Sequence, residues 1–307
     1  MAARTEGEQQ TPAYATVAEL RRAITIEILV AVGVPRRGPF QKLLAPLVWP
    51  PAHRFATLAA RFDREVAHSG LSETARLALP YFVDEVQVEG AEHVPAEGPL
   101  LVASNHPGSY DPLAVLAGVG RDDLKILASD VPILHKLTAT SRHFVYIPSD
   151  PHRRMRAVRK ASRHLRSGGA LLIYPSAQVD PDPALLPGSE EAVEKWSSSL
   201  PLLLRLVPET KVVVSIISDV LSPACFRSPL TRLRPNQRLK QFLAEFLQIG
   251  QQIMFGRDFG LKPVVRFSPA LGSAELGDCR DDEACLEAIK LQALEMLASI
   301  VAPAANS

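Results

Sequence analysis

The sequence predicts an α/β fold: a largely parallel mixed sheet covered by helices on both faces, preceded by a helical segment. Three observations predict it. From Val83 onward, short apolar runs alternate with amphipathic ones, and strands alternating with helices imply parallel pairing with both faces covered. Before about Pro80 the apolar spacing is helical. The 307 residues, 47% hydrophobic and 22% charged, can build one α/β domain with an extra helical segment but not three domains.

Residues 1–80 are the helical segment. Apolar residues recur at helical spacing over Ala18 to Val32 and Phe55 to Leu79. Between them Gly38, Pro46, Trp49, Pro50 and Pro51 break any single helix. Trp49 and Phe40 suit a membrane interface, but the preferred expectation is that they pack beneath the main domain. That domain occupies residues 81–275. Its strands are expected over Glu85–Val88, Leu100–Ser104, Leu124–Ala128, Phe144–Ile147, Ala170–Tyr174, Lys211–Ile217 and Lys262–Phe267. Helices are expected near Pro112–Val119, Pro132–Thr138, His152–Leu165, Glu190–Arg205 and Gln237–Phe255. A last helix, about Asp282 to Ile300 within residues 276–307, packs on the domain. The Pro and Gly clusters near 181–188 and 222–235 are loops.

Composition excludes several function classes. A net charge of +1 gives no global field for nucleic acid, which is not an expected partner. The three cysteines, Cys225, Cys279 and Cys285, make neither a disulfide framework nor a zinc site, so no metal is expected and a reducing compartment is the simpler reading. The polar start, MAARTEGEQQTP, does not resemble a secretory signal. The most apolar early run, Ala23 to Pro35, carries Glu27 and falls short of the roughly 20 residues that a bilayer span needs. A cytoplasmic protein is expected, soluble or peripheral on the inner face of a membrane.

The densest chemical signal is LLVASNHPGSYDPL, Leu100 to Leu113. A buried strand runs into a turn whose Pro107-Gly108 pair suits type II geometry, with positive φ at the glycine. Asp111-Pro112 then opens a helix. Asn105, His106 and Ser109 thus fall beyond the carboxyl end of a strand, the crevice where ligands bind in open α/β sheets. Across a tight turn the Asp111 carboxylate can hold the Nδ1 proton of His106 and leave Nε2 free to deprotonate a hydroxyl. Such a positioned base contributes roughly 10²–10⁴-fold. No G-x-S-x-G elbow offers a serine nucleophile instead. Asp111 is equally an ordinary cap in front of Pro112, and His106 an ordinary loop residue, so spacing alone leaves both readings open.

The run Asn105-His106-Pro107-Gly108-Ser109-Tyr110-Asp111-Pro112 resembles the first motif, N-H-x4-D, of the PlsC-type acyltransferases, the family of lysophosphatidic acid and glycerol-3-phosphate acyltransferases. The resemblance extends over roughly residues 83–270. The family's second block, G-x-x-F-I-x-R, is matched by Ser141-Arg142-His143-Phe144-Val145-Tyr146-Ile147, with Ser141 for its glycine and Ile147 for its arginine. Its third, F-P-E-G-T, is matched by Tyr174-Pro175-Ser176-Ala177-Gln178, with Ser176 for the glutamate and Ala177 for the glycine. The fourth, an apolar run with a proline, is matched by Lys211 to Ile217 without the proline.

The resemblance implies a glycerolipid acyltransferase-like fold with His106 as general base and Asp111 as its orienter. It further implies an acyl-CoA or acyl-acyl carrier protein donor, a lipid acceptor, and no cofactor. Asn105, Gly108, Ser109, Arg142, Tyr174, Pro175, Ser176 and Gln178 are the matching candidates for substrate binding. The missing arginine removes a bidentate phosphate ligand, so the acceptor lacks a phosphate or binds it elsewhere, through Arg142 or the next helix. That helix carries a basic stripe, Arg156, Arg159, Lys160 and Arg163, with Met155, Val158 and Leu165 as its inward face. The stripe suits anionic lipid or donor phosphates, or is a solvated charged face. A lipid- or carrier-binding relative without catalysis, and a thioester hydrolase, are the alternatives to O-acyl transfer.

Overall fold

In the computed structural model, residues 14–148, 150–277 and 281–301 are described; Cys279 lies outside them. The apolar runs become β1 (Gln87–Glu89), β2 (Leu100–Ser104), β3 (Lys125–Ser129), β4 (Phe144–Ile147), β5 (Ala170–Ile173), β6 (Lys211–Ser218) and β7 (Val264–Phe267). They form one sheet in the order β1-β7-β6-β2-β5-β3-β4. From β6 to β4 every pairing is parallel. The pair β6–β7 is antiparallel, and β1 runs parallel to β7. The sheet is therefore mixed and largely parallel, with β2 central and buried along its whole length.

Four helices precede the sheet: α1 (Val17–Ala31), α2 (Pro39–Leu44), α3 (Trp49–Ser69) and α4 (Leu71–Ala78). Within and after it come α5 (Asp111–Val119), α6 (Pro151–Arg166), α7 (Ser189–Glu194), α8 (Ser199–Leu206), α9 (Pro223–Phe226), α10 (Gln237–Phe255), α11 (Ser273–Leu276) and α12 (Asp282–Val301). The two-residue period of a strand sends alternate side chains to opposite faces. Leu100, Val102, Leu172 and Val213 pack on one face with Ala75 of α4 and Val115 of α5. Leu101, Ala103, Leu171 and Val214 pack on the other with Leu165 of α6, Leu203 of α8 and Ile289 of α12. A separate cluster joins Leu20 and Ile24 of α1 to Ala52, Ala56 and Ala60 of α3. No described helix is long and apolar enough to cross a membrane.

Several expectations change. The helix expected over Phe55 to Leu79 divides at Gly70, whose φ of 80° is unfavourable for any other residue. Pro50 and Pro51 start α3 instead of breaking a helix, because the first helical turn needs no amide donors from them. Pro132 to Thr138 yields only a 3₁₀ turn at Leu134–Lys136. The helix expected over Glu190 to Arg205 separates into α7 and α8, with the Ser197 hydroxyl accepting from the Ser199 amide at the break. Met155 is 51% exposed; the buried stripe of α6 is Ala157, Ala161 and Leu165, whose two alanines let the helix lie close to the sheet. Phe40 and Trp49 do not pack beneath the domain either. They are 61% and 46% exposed, beside Leu43 and Leu47 at 70% and 74%.

Candidate active site

At the carboxyl end of β2 the chain leaves the sheet through Asn105. Its side-chain Nδ2 donates to the Ile217 carbonyl at 2.8 Å and its Oδ1 accepts from the Ile217 amide at 2.8 Å. The buried Asn105 thus continues the ladder with β6 by side chain. Both ends of the amide engage that ladder, so Asn105 sets the exit of the loop. His106 follows, held by the backbone: its amide donates to Asp180 Oδ2 at 2.9 Å, and its carbonyl accepts from the Asp180 amide at 2.8 Å.

Gly108 is not in the left-handed region that a type II turn demands. Its reason is close approach, since a Cβ there would lie 3.2 Å from Val220 Cγ2. The loop closes on Asp111, which is fully buried at the start of α5. The cap position of α5 is Tyr110, without a side-chain cap bond. The Asp111 carboxylate turns to the imidazole, with Oδ1 and Oδ2 at 3.0 and 2.9 Å from His106 Nδ1. The carboxylate is thus engaged with His106, while the cap position of α5 is held by Tyr110.

Burial pushes Asp111 above the usual carboxylate range, while the His106 charge and hydrogen bond and the Gly108 backbone oppose the rise. For His106, burial favours the neutral ring, but Asp111, then Glu245 and Asp180, outweigh it and carry the imidazole up to about 9. With Nδ1 held by Asp111 and 26% of the side chain exposed, Nε2 is the ring nitrogen that Asp111 leaves unengaged. Tyr174, at the end of β5, stacks on the imidazole at 4.4 Å. Its buried hydroxyl has no hydrogen-bond partner among the described residues.

Three further candidates, Pro175, Ser176 and Gln178, lie in the loop after β5. Pro175 is buried and its carbonyl accepts from the Ser197 amide. The Ser176 hydroxyl donates to the Gln178 carbonyl at 3.1 Å. Ala177, where the third block has glycine, has a φ of 54° and keeps the left-handed conformation that suits glycine. Gln178 Oε1 accepts from Arg238 Nη1 at 3.0 Å. These residues reach the His106 end of the sheet; Arg142 does not. Strand register sets Phe144 level with Ile126, Leu172 and Val102, so Arg142 lies before the amino end of β4 while His106 lies past the carboxyl end of β2. Ile147, where the second block has arginine, is at the correct end.

Sequence reading missed the groups that α10 brings. Gln241, Glu245, Gln248 and Gln252 form one buried polar stripe. Gln241 Nε2 donates to the carbonyls of Pro107 and Asp180, at 2.6 and 2.8 Å. Ser109 Oγ donates to Glu245 Oε2 at 2.7 Å. The helical spacing of that stripe is visible in the sequence, but a polar face is ordinarily taken as the solvent face. Beside the β5 loop a cavity of about 340 Å³ is lined by Gln178, Lys195, Arg238 and Gln241, among others.

Residues 85–200 match the acyltransferase family model. No curated protein matches the chain. Among solved structures, it is similar to the 1-acyl-sn-glycerophosphate (LPA) acyltransferase, PlsC, from Thermotoga maritima. Identity is 14%, with 92% of this chain and 97% of that chain covered and a TM-score of 0.43.

Proposed function

We propose that the protein moves a fatty acyl group from acyl-CoA or an acyl carrier protein to a hydroxyl of a lysophospholipid, glycerol phosphate or related lipid or polyol, a reading that the match of residues 85–200 to the acyltransferase family model supports. His106 Nε2 takes the proton of the acceptor hydroxyl as its oxygen attacks the thioester carbonyl. The tetrahedral intermediate collapses with loss of the C–S bond, and the imidazolium returns the proton to the departing thiolate sulfur. Asp111 fixes the tautomer and stabilises the imidazolium while it exists. No covalent enzyme intermediate and no cofactor enters. The supporting observation is that the fully buried Asp111 carboxylate lies 2.9 Å from His106 Nδ1.

An acceptor phosphate would meet Arg238 and Lys195 beside the β5 loop, in place of the second-block arginine. The exposed side chains Phe40, Leu43, Leu47 and Trp49, with Arg36, Arg37 and Lys42 close by in the chain, suit peripheral contact with an anionic membrane. The test is transfer of label from acyl-CoA into a lipid extract. Wild-type protein should form a labelled lipid and His106→Ala should not. Release of free fatty acid alone, whatever acceptor is supplied, would reassign the site to thioester hydrolysis.

A further inference from the structure

Glu245 lies outside the segment that matches the family, on a helix that no motif identifies, yet it reaches the loop that carries His106. Its residue is 4% exposed. Oε2 accepts from the hydroxyl of Ser109, three residues after His106 and two before Asp111, while Oε1 is buried with no partner among the described residues. A carboxylate with one bare oxygen in such a place is costly, and a neutral carboxylic acid is far less so. The third-block glutamate is absent, replaced by Ser176, so this is a carboxyl group brought to the same loop cluster from another element.

We propose that Glu245 is a positioning residue of the reaction: its carboxyl group anchors Ser109 and sets the charge that the His106 imidazole feels. The inference rests on the reading of His106 as the base. Three carboxyl groups act on that imidazole, Asp111, Glu245 and Asp180. The groups acting on Glu245 are Ser109, His106, Asp111 and Asp182. Burial, opposed by Ser109 and His106, pushes Glu245 up to about 8. Around neutral pH it therefore carries a proton. In that form it withholds a further negative charge from His106, and the neutral ring needed to accept a substrate proton is easier to reach. As Glu245 ionises, the imidazolium is favoured and the base is lost to a zwitterionic pair.

Two substitutions separate charge from anchoring. Glu245→Gln can still accept from Ser109 but cannot ionise. Its kcat–pH profile should have an acid limb displaced to lower pH by roughly one unit, the scale on which a nearby charge moves a buried group. Glu245→Leu removes the acceptor and should lower kcat at least about tenfold, with a smaller change in KM, since the loss lies in loop geometry and not in uniform binding. Both variants are measured beside wild type and His106→Ala, with thermal midpoints as the control for folding. A Glu245→Gln limb that superimposes on the wild-type limb overturns the inference, as does a Glu245→Leu loss of activity that only follows a lowered midpoint. Full activity of His106→Ala overturns the underlying reading of the base instead, so the two failures are distinct.

Discussion

Two loops meet at His106, one leaving β2 and the other leaving β5, and they are held differently. The β2 loop, residues 105–110, is fixed by side chains: Asn105 on the β6 backbone, the Tyr110 hydroxyl on the Val220 carbonyl, and Ser109 on Glu245. The turn of the β5 loop, residues 174–177, is set by backbone conformation, with the Ala177 amide closing on the Tyr174 carbonyl and Ala177 in the left-handed region, and side chains tie only the residues after it, Gln178 to Arg238 and Asp180 to the His106 amide. Identity therefore matters in the first loop, where the family motif is intact. Shape matters in the second, where the residues depart from the motif but the turn survives.

The largest effects should come from breaking the first loop. His106→Ala should lower kcat by two to four orders of magnitude, roughly the range of a positioned base, and should also lower the thermal midpoint at neutral pH, because it takes the imidazole away from the buried Asp111 carboxylate. Asp111→Asn retains the shape but offers an amide to Nδ1 and favours the wrong tautomer. A loss on the order of 10³–10⁴ in kcat is expected by analogy with other His–Asp pairs. Single-turnover acyl transfer measures both. A nearly silent Asp111→Asn would restore the capping interpretation of that residue.

A second effect is read in stability instead of rate. The folded-state ionisation of Glu245 sits at about 8, against 4.5 for the free side chain. Between those values the native state binds more protons than the unfolded chain, so stability falls as pH rises through that window. His106 acts in the same direction at higher pH. Raised to about 9 from 6.5, it contributes stability below 6.5 that is lost as pH climbs to 9. Denaturant unfolding of wild type should show a decline of several kcal/mol from pH 4.5 to 9, at up to about 1.4 kcal/mol per unit for each group. Glu245→Gln should flatten the lower part of that slope and move the end of the upper, His106-dependent part to lower pH, because Glu245 is one of the charges that raise the imidazole.

The site was legible where its partners are close in the chain. His106 and Asp111 fall within one strand-turn-helix segment, so strand, turn and carboxylate can be read together. Asp180 and Glu245 arrive from 74 residues beyond His106 and 136 beyond Ser109, respectively, and only the folded sheet brings them there. Arg142 failed for a related reason. Its distance along the chain is right, but parallel register sends it to the wrong end of the strands. Much of the sheet was legible because buried parallel strands read as continuous apolar runs. The N-terminal boundaries were less so: Pro50 and Pro51 can start a helix as readily as end one, and sequence does not say whether Phe40 and Trp49 face the domain or the outside.

The comparison of the two loops can be sharpened by exchanging their modes of support. Asn105→Ala removes two hydrogen bonds and leaves the amide and carbonyl of Ile217 buried without that partner, at a cost of roughly 2–4 kcal/mol by the usual penalty per unsatisfied group. Ala177→Gly does the reverse. Left-handed backbone costs an alanine roughly 1–2 kcal/mol, while glycine costs the folded state about 0.5–1 kcal/mol more in chain entropy. The net should be stabilisation of a few tenths to about 1 kcal/mol in chemical denaturation. Because the turn already has the glycine conformation, activity in Ala177→Gly should remain within about twofold of wild type, since no transition-state contact is removed. A marked rise in transfer would show instead that the methyl group itself, not the turn, shapes the acceptor surface, and the β5 loop would then depend on identity as the β2 loop does.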